Sequence, residues 1–139
     1  EQLYTFSGVD RDARSRVVSV SYLALYKGEA AEGFYSIKRV KTLAYDHSDI
    51  LATAVERLRS RVEYTTIIQN LIPKAFTYSQ LHKMYEVVLG KEIDKRNFRK
   101  KIDSLGIISE TGEYLKEGRM RPAMMYKFNS KKVETINIF

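Results

Sequence analysis

Arg96, Asn97 and Lys100 fall close together in the stretch DKRNFRKKIDSLG, Asp94 to Gly106. Arginine and asparagine can make paired hydrogen bonds to the edges of guanine and adenine, and a lysine ammonium donates to guanine acceptors. Side chains of this kind near the start of a helix suit a DNA major groove, which admits an α-helix. Lys95, Arg99 and Lys101 lie at other angles of the same helix, better placed for phosphates or for running along a core edge. The plain alternative is a solvated charged face, as on most cationic helices. A second basic group shifts the balance. Lys116, Arg119 and Arg121, in YLKEGRMRP, are expected at the tip of a hairpin, where they can reach a minor groove or its phosphates.

Other chemistry is scarce. With no cysteine, neither a disulfide framework nor a thiolate metal site is possible, and a reducing cytosol is the natural setting. The two histidines, His47 and His82, have no HExxH or paired spacing, so no metal site and no cofactor are expected. Asp46 beside His47 is more simply a helix cap than an acid–base pair. His82, next to Lys83, reads as a surface or groove-side residue. Asp10, Arg11, Asp12 and Arg14 can bind a phosphate or a metal, but loops of this composition are usually just polar. No glycine-rich phosphate loop is present. No catalytic residue is assigned.

The helix that carries Arg96 is well bounded. Phe98, Ile102 and Leu105 recur at i, i+4 and i+7 on one side, with Arg96 and Lys100 opposite. Asp94 is a natural N-cap and Gly106 a natural stop. Ahead of it, Thr77 and Gln80 form a T-x-x-Q capping box for a helix with Tyr78, Leu81, Met84, Tyr85, Val88 and Leu89 buried, closed by Gly90. Only Lys91, Glu92 and Ile93 separate Gly90 from Asp94, a turn of helix-turn-helix size. After Gly106, Ile107 and Ile108 lead into a strand, Thr111 to Pro122 forms a charged loop, and Ala123 to Phe128 returns as a second strand. Helices followed by a hairpin give the order of a winged helix. The final KKVETINIF is a tail or an added strand.

Upstream, Leu3–Phe6 is a short strand candidate and SGVDRDARSR an exposed loop. Val17–Tyr26, rich in β-branched and aromatic residues, is expected as the strongest strand, central in a sheet. A weaker strand is expected over Gly33–Val40. Asp46 is expected to cap a helix from His47 to about Glu63, with Ile50, Leu51, Ala54, Val55, Leu58 and Val62 as its apolar stripe. A shorter helix follows over Thr66–Ile72, ended by Pro73. The fold class is therefore α+β: a partial sheet over residues 1–63, a winged helix-turn-helix domain over 64–128, and 129–139 as the tail or added strand.

A chain of 139 residues, 44% hydrophobic, can build an ordinary core. The formal charge of +7 points to a polyanionic partner, since clustered Lys and Arg gain affinity by releasing counterions from nucleic acid. Residues 74–128 hold 12 Lys and Arg against 7 Asp and Glu, +5 of that +7. No apolar run approaches the roughly 20 residues of a spanning helix. Opening on Glu1 rather than methionine, the sequence is expected to be a fragment. The expected setting is cytoplasmic.

GVDRDARSRVVSVSYLAL (8–25), LAYDHSDIL (43–51), FTYSQLHKMYEVVLGKEIDKRNFRKKI (76–102) and RPAMMYKF (121–128) together resemble the Nudix-related transcriptional regulators typified by NrtR, regulators of NAD metabolism. The resemblance covers nearly the whole chain. It implies the second half of a Nudix-like sensor domain followed by a DNA-binding winged helix. The implied protein is a repressor that binds its operator as a homodimer under control of a metabolite such as ADP-ribose. It also implies that Arg14 and Arg16 approach the effector's phosphates. The Nudix box, whose carboxylates hold Mg²⁺ in the hydrolases, is absent, so hydrolysis by this chain is not expected. A Nudix pyrophosphatase with an accessory winged helix is the alternative.

Overall fold

The computed structural model describes residues 1–28, 32–116 and 121–138. It divides into two units, Glu1–Leu58 and Arg59–Phe139, the division falling within a single helix.

In the first unit, strands β1 (Gln2–Phe6) and β2 (Ser19–Tyr22) pair antiparallel, from Gln2 opposite Tyr22 to Phe6 opposite Ser19, with an irregularity between Gln2 and Tyr4. The expected central strand is thus only four residues long and has one partner among the described residues. Its apolar side faces outward: Val18, Val20 and Tyr22 are each more than half exposed, whereas Ser19 and Ser21 are half-buried. Alternation identifies two faces without saying which is covered. Gly33–Val40 is not a strand. Its backbone closes locally instead, with Arg39 N–H donating to Ser36 and Val40 N–H to Ile37 around a 3-10 turn at Ile37–Arg39.

Helix α1 (His47–Tyr64) follows the expected stripe. Asp46, expected as its side-chain cap, contributes its carbonyl, which accepts from the Asp49 and Ile50 amides, while its carboxylate is held by the Arg11 guanidinium. In the second unit, the expected helix over Thr66–Ile72 is a 3-10 turn, Thr66–Asn70, capped by the Thr65 hydroxyl accepting from Ile67 N–H. Consecutive β-branched residues crowd an α-helical turn, and 3-10 geometry is used for short pieces of this kind. Ile68 and Ile72 are fully buried there. The C-terminal segment runs back along residues 63–66: Thr135 pairs with Thr65, Ile136 N–H donates to Tyr64 and Ile138 N–H to Glu63.

The sheet of this unit has the order β3 (Phe76–Thr77), β5 (Ala123–Phe128), β4 (Ile108–Leu115). Strand β4 reaches into what composition marks as a charged loop. The ladder slips between Glu110 and Tyr114, where Gly112 at φ 81° takes the left-handed conformation that glycine adopts freely, and pairing resumes to Leu115 opposite Ala123. Helices α2 (Tyr78–Leu89) and α3 (Lys95–Leu105) pack on this sheet through Phe76, Leu81, Tyr85, Phe98, Ile102 and Tyr126, all buried. Thr77 ends β3 and caps α2: its hydroxyl accepts from Gln80 N–H and the Gln80 side chain accepts from Thr77 N–H, the expected capping box.

Candidate nucleic-acid interface

The sequence sets the orientation of α3 before any partner is considered. Asp94 accepts from Asn97 N–H at 2.8 Å, fixing the first turn, and Gly106 at φ 61° ends the helix. Between them Phe98 and Ile102 are buried and Leu105 is half-buried, so the opposite side must face out. Lys95, Arg96, Asn97 and Lys100 are exposed there, and Lys101 is half-buried at the margin. Among the described residues, no hydrogen bond or ion pair engages the side chains of Arg96, Asn97 or Lys100. Their donors are open to a ligand.

Arg99 is different. Its guanidinium lies 4.7 Å from the centre of the Tyr78 ring, and its Nε is 3.8 Å from Asp103. The Tyr78 hydroxyl donates to the same Asp103 carboxylate, and the Tyr78 ring meets Tyr126 edge-on at 4.7 Å. Burial first, then the contact with Asp103, push the Tyr78 hydroxyl's pKa up, so it remains a donor. Arg99 is therefore steered by α2 and the sheet, where it can present a pre-oriented cation to a phosphate. In the sequence Tyr78 reads only as a buried position, and nothing there gives Asp103 a role. The i, i+4 spacing of Arg99 and Asp103 is the available signal.

His82 corrects its sequence reading: it is buried, at 5% exposure, with its ring edge-on to Phe98 at 5.3 Å. Its Nε2 lies 2.7 Å from the carbonyl of Ile93, in the turn before α3. Glu86, one turn along α2, accepts from Ile93 N–H at 3.3 Å, which is the main reason its carboxyl sits below the usual carboxylate range. Gly90 suits the turn, since its φ of 70° is one that favours glycine.

In the wing, Lys116 and Arg121 are exposed just beyond the paired ends of β4 and β5. Arg119 lies outside the described residues.

In the first unit Arg14 is exposed but engaged. Its Nε and Nη2 donate to Asp12 at 2.9 and 2.7 Å, and Nη2 also to the Tyr45 hydroxyl at 3.2 Å. Arg16 is exposed. Arg11 joins the loop to α1, donating to Asp46 and, at 2.6 Å, to the Phe6 carbonyl. These bonds from Arg11 hold the Asp46 carboxyl below its ordinary value. A depressed carboxyl stabilises the fold above its unfolded pKa, about 3.9, and loses that contribution as pH falls through the folded value. Acid unfolding followed by circular dichroism should therefore show wild type more stable than Asp46→Asn at pH 6, with the gap closing below about pH 4. A gap constant with pH contradicts the linkage.

Among the described residues, no group of three or more His, Asp or Glu side chains is placed to hold a metal ion, and no helix is long and apolar enough to cross a membrane.

Residues 68–128 match the family described as the NrtR DNA-binding winged helix domain. The ADPR responsive transcriptional repressor NtrR of Acinetobacter baylyi is 32% identical over 92% of this chain and 55% of its own length. Among solved structures, Shewanella oneidensis NrtR complexed with a 27mer DNA is 31% identical with a TM-score of 0.71, over 93% of this chain and 64% of that one. A MutT/nudix family protein from Enterococcus faecalis is 28% identical with a TM-score of 0.65, over 94% of this chain and 61% of that one. The chain thus spans about half the length of the curated relative it matches and under two thirds of the matched structures.

Proposed function

From the premise that the chain belongs to the Nudix-related regulator family of NrtR, we propose that it is a DNA-binding transcriptional repressor acting in the cytoplasm. The observation that carries the reading is the division of α3 into a face locked by Phe98 and Ile102 and a face offering Arg96, Asn97 and Lys100 with no protein partner among the described residues. In this reading those three side chains contact base edges. Lys95, Arg99, Lys101, Lys116, Arg119 and Arg121 contact the backbone of the duplex. A homodimer places two such helices on a two-fold-symmetric operator, about one helical turn apart. The A. baylyi relative is named for a response to ADPR, which supports an ADP-ribose-type effector for this protein too. Arg16, and Arg14 once released from Asp12, are the cations assigned to its phosphates.

Titration of the full-length protein against DNA from upstream of its own gene tests the reading. Expected are saturable binding, release by ADP-ribose, and affinity falling steeply between 50 and 200 mM salt, by about 10³-fold if some six phosphates are contacted. Binding that is weak and independent of salt overturns it. The MutT/nudix neighbour gives the hydrolase alternative its one support, and turnover of ADP-ribose by the full-length protein with Mg²⁺ would decide for that alternative.

A further inference from the structure

The turn between α2 and α3 contains a contact for which neither a helix-turn-helix pattern nor a cationic helix calls. Ile93 immediately precedes Asp94, the cap of α3, and both of its backbone polar groups are taken by side chains of α2. Its carbonyl accepts from His82 Nε2 at 2.7 Å, and its N–H donates to Glu86 Oε1 at 3.3 Å. A carbonyl can only accept, so Nε2 carries the proton. His82 and Glu86 are one turn apart, with Nδ1 3.8 Å from Oε2, and Lys83 Nζ approaches the same oxygen at 3.6 Å. The His82 ring also bears on Phe98, the buried anchor of α3. The two residues therefore hold one residue's backbone from both sides and the recognition helix from behind.

α2 is itself immobilised by Leu81, Tyr85 and Leu89 in the core and by the capping box that joins it to β3. Fixing Ile93 against such a helix fixes the origin of α3, and with it the direction of Arg96 and Asn97 in its first turn. Paired hydrogen bonds to a base edge weaken steeply with misalignment. Contacts of flexible lysine side chains with phosphates, made as point charges, are less sensitive to alignment. We propose that His82 and Glu86 are positioning residues that clamp Ile93 and so aim α3 for base reading. The proposal rests on the DNA-binding reading above. It predicts that loosening the clamp costs specificity before it costs affinity for DNA in general.

The test uses the full-length protein and a duplex that wild type enriches from a random 30-bp pool, with a scrambled duplex for non-specific binding. His82→Phe keeps a ring beside Phe98 but has no donor, and Glu86→Leu removes the acceptor. His82→Gln keeps a donor where Nε2 lies, and Glu86→Gln keeps an acceptor. The first pair is expected to lower the ratio of specific to non-specific affinity at least tenfold, and the second pair to restore it to within about threefold of wild type. Val87→Ala, at an exposed position of the same helix, should leave the ratio unchanged.

An unchanged ratio in folded His82→Phe and Glu86→Leu overturns the clamp. If neither variant folds, amide exchange in wild type decides. Ile93 N–H should exchange at least tenfold more slowly than the amides of Lys91 and Glu92, and equal rates overturn the clamp. A wild type that enriches no duplex overturns the DNA-binding reading itself, whereas binding with unaltered variants removes only the clamp.

Discussion

Replacing Arg96 and Lys100 together by alanine is expected to abolish operator discrimination while leaving the protein folded. Both side chains leave α3 on the side opposite Phe98 and Ile102, and both are exposed. Neither is engaged by another described residue, so their removal should change stability by no more than about 0.5 kcal/mol. A paired base contact is worth about 1 to 3 kcal/mol of discrimination, so the double variant should lose roughly 10²-fold or more in operator affinity. Non-specific binding should fall much less, with its salt slope dropping by about one for each phosphate that is no longer neutralised. Fluorescence anisotropy with operator and scrambled duplexes at two salt concentrations separates the two effects. Operator binding that survives both substitutions sinks the assignment of these residues to base reading. Arg99→Ala offers a contrast, since Arg99 is held by Tyr78 and Asp103 and is proposed to meet the duplex backbone. Its removal should weaken both duplexes alike.

The parts of this protein legible in its sequence are those written locally. The Thr77–Gln80 box, the Asp94 cap and the glycines at 90 and 106 each act within four residues, so α2 and α3 begin and end where composition places them. The face of α3 follows from the same periodicity. What sequence reading misplaces depends on partners elsewhere in the chain. Val17–Tyr26 carries strand residues throughout, yet only Ser19–Tyr22 pairs, because length is set by β1 and not by β2's own composition. Gly33–Val40 has strand-forming residues with no ladder partner among the described residues, and it curls into a local turn.

Polar residues are misread for the same reason. Asp46 looks like a cap in the sequence, but Arg11, 35 positions away, takes its carboxylate. His82 looks exposed because its carbonyl partner is 11 residues on. A signal is present all the same. Tyr78, Leu81, His82, Tyr85 and Leu89 fall on a single helical arc, and a histidine on an apolar arc needs a buried partner. The exposed cations of α3 are thus legible in the sequence, and the contacts of His82 and Glu86 with the turn before it much less so.

Phe98→Ala tests the other half of that division. Phe98 is 3% exposed, with the rings of His82 at 5.3 Å and Tyr85 at 5.1 Å. Truncating a buried phenylalanine costs about 3 to 5 kcal/mol in transfer energy and residual cavity. Domains have only about 5 to 15 kcal/mol to lose, so a substantial unfolded population is expected at 37 °C. Urea unfolding should show a midpoint well below wild type with a similar slope, while Phe98→Leu, which keeps most of the apolar volume, should lie between them. Operator binding by Phe98→Ala should then fail because less protein is folded, the exposed donors of α3 being intact. Because DNA binds only the folded state, excess operator should raise the variant's melting temperature and restore part of the signal. The Arg96 and Lys100 double variant should show the reverse pattern, a native midpoint with no rescue by operator. If Phe98→Ala keeps the wild-type midpoint, α3 is not anchored through Phe98. Its outward face would then need another explanation.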